Sequence, residues 1–145
     1  MNLAPLSGPA ASPGQSGQPG SARAREIADL KARDQQVRAH EAAHLTAAGG
    51  LARGGASYTY ERGPDGVAYA VGGEVSIDTS PVPGNPAATL AKAQQIQAAA
   101  LAPADPSAQD RSVASAASAM AARAQRDLQR AQSGKTSGRS LDVVA

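Results

Sequence analysis

Apolar and polar residues recur along the chain with two different rhythms. From Arg25 to Ala48 the positions Ile27, Leu30, Asp34, Val37, Glu41, His44 and Ala48 follow one another at steps of three or four. That spacing puts side chains on one face of an α-helix. It predicts a helix of roughly six turns, stopped at Gly49-Gly50, where a glycine C-cap is expected. The rhythm then shortens to two. Tyr58 and Tyr60 alternate with Ser57 and Thr59, "GPDG" supplies turn chemistry, and Val67, Tyr69 and Val71 alternate again. This predicts a β-hairpin. After Gly72-Gly73, an extended piece from Glu74 to Asp78 sets Val75 and Ile77 on one face and Glu74, Ser76 and Asp78 on the other.

Two further helices are predicted. Asn85 caps the first, with Pro86 at its first position, and it runs to about Leu101. "APADPS" breaks the pattern. Asp105 then caps the second, with Pro106 at its start, and Val113, Ala117, Met120, Ala124 and Leu128 form its apolar stripe to about Gln132. Residues 1–24 are rich in Pro, Gly, Ser and Ala without periodicity and read as a disordered arm. Residues 25–133 form the domain, and 134–145 a flexible tail. The expected class is α+β: a compact domain with one long helix, a hairpin plus short strand, and two C-terminal helices.

Composition restricts what this domain can be. Of 145 residues, 41% are hydrophobic, but much of that is alanine; Phe and Trp are absent and there are three Tyr. The core must be small and closely packed, so a bound metal or partner would add unusually much to stability. There is no cysteine, which excludes disulfides and thiolate metal sites. A net charge of +2 carries no strong nucleic-acid field. No apolar run is long enough to span a membrane. The N-terminus lacks the basic and apolar regions of a signal peptide, which favours the cytoplasm and leaves export open.

The candidate chemistry lies in "RAHEAAHLTAAGG", residues 38–50, which holds both histidines of the chain. His40 and His44 stand one above the other on a helix and can chelate one ion. Glu41 projects about 100° round the helix from His40, within reach of a water on that ion. This is the H-E-x-x-H pattern of zinc peptidases, in which the metal acidifies water and the glutamate is the general base. An idle histidine pair on a solvated helix face is the plain alternative. It fits poorly, because these residues fall on the apolar stripe. Two imidazoles and a carboxylate suit zinc best, one ion per chain.

A catalytic zinc takes three protein ligands, and with no third histidine and no cysteine the third must be a carboxylate. Asp65 reads as a turn former, Asp105 as a helix cap, and Glu61 and Asp110 as solvated. Glu74 is the choice, because Gly72-Gly73 before it lets the backbone approach another element closely. Asp78, on the same face, is the runner-up. Either could instead orient a histidine ring. Tyr58, Tyr60 or Tyr69 could donate to an oxyanion, against the simpler reading that a chain so short of bulk needs them for packing. The hairpin edge could also take an extended peptide by strand addition.

Residues 40–114 resemble a bacterial family grouped as metalloproteases and called the SprA-related family. The shared blocks are HEAAH, SYTY with GPDG, YAVGGEVSID and ALAPADPSAQDR. The resemblance implies a zinc peptidase acting on a peptide or protein substrate, with His40 and His44 as ligands, Glu41 as base and a zincin-like core. The chain departs from the better-known zincins. It has no third histidine, no glutamate after residue 85, and its hairpin follows the histidine helix. A metal-stabilised interaction module without catalysis is therefore the alternative. A basic run of Arg123, Arg126, Arg130, Lys135 and Arg139 lacks an aromatic platform and reads as a solvated helix face rather than a nucleic-acid site.

Overall fold

The long stripe does form one helix, α1, over Pro19–Ala48. A computed structural model describes residues 19–138. Every stripe position from Ile27 to Ala48 is buried or half-buried, and the residues between them are mostly exposed. The helix starts six residues before the predicted domain boundary at 25, and Arg23 in this extension donates to Pro64 O (3.0 Å) in the hairpin turn. The rest of the predicted arm, residues 1–18, lies outside the described residues. The helix stops as expected. Gly49 sits at φ +51°, a left-handed conformation open to glycine, and a single 3-10 turn, Gly49–Leu51, leads the chain away.

The hairpin consists of β1, Ser57–Arg62, and β2, Ala68–Glu74, paired antiparallel. Its register slips once. Thr59 faces Gly72 and Tyr60 faces Ala70, leaving Val71 as a bulge. Helix α1 ties this bulge down. Asp34 Oδ1 accepts from Ala70 N–H (2.8 Å), and Arg33 Nε donates to Val71 O (3.2 Å). Backbone groups that the bulge withdraws from the ladder thus find side-chain partners. The predicted short strand survives as a single bridge between Ile77 and Ala52. Ser76 O accepts from Arg53 N–H, and Asp78 N–H donates to Leu51 O, both at 2.8 Å.

Helix α2, Pro86–Ala100, has the expected cap: Asn85 Oδ1 accepts from Ala88 N–H (3.0 Å), with Pro86 at the first position. Helix α3 runs Ala108–Gly138 and begins later than predicted. Its capping residue is Ser107 rather than Asp105. Ser107 Oγ accepts from Asp110 N–H (3.1 Å), and Asp110 Oδ2 accepts from Ser107 N–H (2.7 Å). This reciprocal capping box satisfies two donors at the helix start, which Asp105, exposed in the preceding loop, does not do. At the other end α3 includes residues 134–138 of the predicted tail, and the remainder lies outside the described residues.

The architecture is α+β, three helices and a two-stranded antiparallel sheet. Helix α1 lies between β2 and α2, and α2 packs along α3. The core is built largely of alanine. Ala48, Ala70, Ala93 and Ala99 are fully buried, and Ile96 is the one large side chain completely removed from solvent among the described residues. Val113, Ala117, Met120, Ala124 and Leu128 form the inward face of α3, as their spacing predicts. No helix among the described residues is long and apolar enough to cross a membrane.

Candidate metal centre

One helical turn separates His40 from His44, so their rings meet edge to face with centroids 4.9 Å apart. His44 is the deeper ring, with 6% of its side chain exposed against 26% for His40. Its orientation is fixed by α2. His44 Nδ1 lies 2.8 Å from Ala99 O, in the last turn of α2, a carbonyl that also accepts a long backbone bond from Ala102 N–H (3.4 Å). A carbonyl can only accept, so Nδ1 carries the hydrogen, which leaves Nε2 as the atom His44 can offer to an ion in the cleft.

A third group arrives from α3. Asp110 Oδ2 is 3.3 Å from His40 Nε2, Asp110 Oδ1 is 3.3 Å from His44 Nε2, and the two Nε2 atoms are 3.2 Å apart. The capping box with Ser107 holds this carboxylate in place. Burial pushes the Asp110 carboxyl up. The Ser107 hydrogen bonds and the neighbouring histidines outweigh that and bring it below its ordinary value. Among the described residues, His40, His44 and Asp110 form a group that could hold a metal ion. The donor set fits one. Metal–ligand bonds of about 2.0–2.1 Å at tetrahedral angles separate ligand atoms by roughly 3.3 Å, close to the 3.2 Å between the two Nε2 atoms, and each Asp110 oxygen stands 3.3 Å from a different one of them. Three protein ligands also leave a fourth position for solvent or substrate.

Glu41 sits beside this group, 4% exposed, on the side facing β2. The strand can come so close because residue 73 is glycine. A Cβ there would lie 2.8 Å from Glu41 Cγ and 2.9 Å from Oε1. Glu41 Oε2 is buried without a hydrogen-bond partner, and it is the one such side-chain atom among the described residues. Burial pushes the Glu41 carboxyl up, against the pull of both histidines. A buried, unpartnered carboxylate oxygen is costly, and its position next to two imidazoles and a carboxylate is the usual setting of a functional group. His40, Glu41, His44 and Asp110 open on a cleft of about 320 Å³ whose far wall is the segment Gly73–Ile77.

The other predicted residues are placed differently. Glu74 lines the cleft at its exposed rim and is not a member of the His40–His44–Asp110 group. The Gly-Gly pair that recommended it does permit a close approach, but to Glu41. Asp78 is spent on cations. It accepts from Lys92 Nζ (2.8 Å), Arg53 Nη2 (2.9 Å) and Ser80 Oγ (2.6 Å), which hold its carboxyl far below the usual range. None of the three tyrosines lines the cleft. Tyr69 is buried and donates to Asp65 Oδ2 (2.5 Å), Tyr58 lies under the Arg38 guanidinium at 5.0 Å, and Tyr60 is half-exposed. Asp110, read from sequence as solvated, was the residue missed. Its signal was local: Ser107-x-x-Asp110 is a capping-box pattern, and a carboxylate so fixed is a well-oriented ligand.

Helix and hairpin together define a small α+β protein whose two histidines and one aspartate form a candidate metal centre with a buried glutamate alongside. The chain belongs to the SprA-related family, whose family description matches residues 15–141. No curated protein and no solved structure matches it.

Proposed function

We propose that this chain is a zinc-dependent peptidase with a compact, zincin-like site, in which His40, His44 and Asp110 hold the metal and Glu41 is the general base. The observation that carries this reading is Glu41 Oε2, buried and unpartnered beside the donor group. A purely structural metal site has no use for such an atom, whereas proton transfer needs an acceptor of that kind. Zinc, when bound, supplies Lewis acidity, polarising a carbonyl and acidifying water. The protein does the rest. His44 is held in the ligating tautomer by Ala99 O, and Asp110 is oriented by Ser107. Glu41 takes a proton from the attacking water at Oε2 and returns it to the leaving amine. Its burial raises its basicity towards the working pH.

A peptide substrate suits the cleft. Ser76 O and Asp78 N–H turn towards Arg53 and Leu51, so the intervening Ile77 presents its own N–H and C=O on the opposite edge. Ile77 lines the cleft. An extended peptide added to this edge by main-chain hydrogen bonds runs past the histidines.

The test compares metal content and peptide hydrolysis in wild type, His44→Ala, Asp110→Ala and Glu41→Gln. About one zinc per chain is expected in wild type, and less in the two ligand variants. Glu41→Gln should keep the metal and lose hydrolysis by at least about 100-fold, the usual scale of general-base catalysis. Stoichiometric zinc with no cleavage across a broad peptide library would sink the reading. It would favour a non-catalytic, metal-stabilised interaction module, for which one observation speaks: the donor group joins α1 to α3 across 70 residues of sequence.

A further inference from the structure

We propose that an apolar recess adjoining the metal cleft receives one large apolar side chain of a bound peptide and sets the specificity of this protein. The recess has a volume of about 350 Å³. Ile96 and Ala117, both fully buried, form its floor, and Val113, Met120, Ala116 and Thr79 form its walls. No charged residue lines it. Thr79 and Val113 also line the cleft that holds His40, Glu41 and His44, so the two spaces meet along a shared wall.

Size and chemistry choose the occupant. Helices α2 and α3 meet mainly through alanines, and the chain has no Phe or Trp to fill the hollow that results. A charged side chain entering it loses its hydration and finds no partner. A small one leaves most of the apolar wall uncovered. Leucine, methionine or phenylalanine covers it, and the Met120 thioether can adapt to their different shapes. Fully burying such a side chain favours it over alanine by roughly ten- to a hundred-fold. The outward edge of Ile77 lays an extended peptide beside the recess, so one residue near the scissile bond can drop into it. The identity of the occupant as a peptide rests on the peptidase reading; the apolar preference rests on the recess alone.

Methionine gives the reporter. The chain has two Met, one of them Met120 in the recess wall. The full zinc-loaded chain carrying Glu41→Gln, labelled at the Met methyl carbons, is titrated with blocked pentapeptides Gly-Gly-X-Gly-Gly, where X is Leu, Phe, Ala or Glu. The Met120 signal should shift with Leu and Phe, and these peptides should bind at least tenfold more tightly than those with Ala or Glu. Adding Ala116→Leu, at an exposed wall position, should fill the recess and abolish the preference for Leu and Phe over Ala while leaving the urea midpoint unchanged. Equal binding of Leu and Ala peptides, or an unmoved Met120 signal, overturns the proposal. Wild-type cleavage of a peptide library separates the two readings. Discrimination at Met120 with no cleavage keeps the recess and rejects the peptidase. Cleavage with no side-chain preference and an unmoved Met120 does the reverse, and absence of all binding rejects both.

Discussion

Gly73→Ala is the sharpest probe of how the site is assembled, because it adds a single carbon between β2 and the buried glutamate. The new Cβ would stand 2.8 Å from Glu41 Cγ, 2.9 Å from Oε1 and 3.0 Å from Cδ. Contacts under 3.0 Å do not persist, so strand or glutamate must move. Glu41 is only 4% exposed, so a shift of its side chain disturbs the packing around it. Overpacking a well-filled interior costs about 1–3 kcal/mol. Replacing glycine by alanine where the backbone is unstrained returns about 0.4–1 kcal/mol through the unfolded state, and Gly73 is not among the glycines with positive φ. The expected net loss is roughly 1–2 kcal/mol, a factor of about 5–30 in the folding equilibrium.

Urea unfolding of the metal-free chain, followed by helical circular dichroism, should show this as a midpoint lowered by roughly 0.5–1 M. Gly72→Ala is the control. Its added Cβ meets nothing nearer than Thr59 Cβ at 3.8 Å, so its midpoint should stay or rise slightly. Combining Gly73→Ala with Glu41→Ala removes the clash, and the pair should couple by about 1 kcal/mol or more in the relieving direction. Additivity within about 0.5 kcal/mol, or a wild-type midpoint for Gly73→Ala, would refute the claim that strand and glutamate are in contact.

Four further outcomes are expected. Ile96→Ala should cost about 2–5 kcal/mol in urea unfolding, because a fully buried side chain is removed from a core otherwise made largely of alanine; a loss under about 1 kcal/mol would mean that the core collapses to fill the space. Ser107→Ala should destabilise α3 by about 1 kcal/mol and also weaken zinc affinity, read by competition with a chelator, because the half of the capping box that ties Asp110 N–H to Ser107 Oγ is lost; an unchanged affinity would show that this half of the capping box does not position the ligand. Asp78 has its folded pKa depressed by Lys92, Ser80 and Arg53, so its contribution is present above the unfolded value of about 3.9 and is lost as pH falls below it; the deficit of Asp78→Asn relative to wild type should shrink between pH 5 and 3, and a pH-independent deficit would contradict the ion pairs. Tyr69 is pushed up to about 12 by its bond to Asp65, so one tyrosine should titrate near there by absorbance at 295 nm, and that step should vanish in Tyr69→Phe.

Local periodicity carried the reading where one helix decides the geometry. The stripe from Ile27 to Ala48 fixed which face of α1 is buried, and with it the common side of Glu41, His44 and, one turn back, His40. The hairpin was equally legible, because strand alternation and turn residues are local signals. Val71 was not. A bulge arises from how two strands pair, which the residues of one strand do not show, and here it is held by Asp34 and Arg33 from another element. The third donor was hidden for a similar reason. Asp110 is 70 residues from His40, and its approach depends on how α2 and α3 pack. Those helices meet through alanines, whose spacing marks a face but whose uniform size says little about which partner residue lies opposite.

The choice of Glu74 over Asp110 turned on a glycine pair that does mark a close approach, but one made to Glu41. A glycine next to a carboxylate does not bring that carboxylate inward; it brings the backbone inward, and the side chain of the next residue can then point away. Here the strand closes over Glu41 and leaves Glu74 exposed at the rim. A ligand must also be held still, and the two candidates differ in that respect. Glu74 stands on an exposed strand end, with a flexible side chain whose ordering on binding would cost entropy. Asp110 has a shorter side chain already fixed by Ser107 at a helix start. In a chain with so little core, a donor ordered for a structural reason adds less to the entropy of binding than one ordered by the metal itself. A carboxylate in a capping box is therefore the stronger expectation when a small helical protein offers two histidines and must find its third ligand elsewhere.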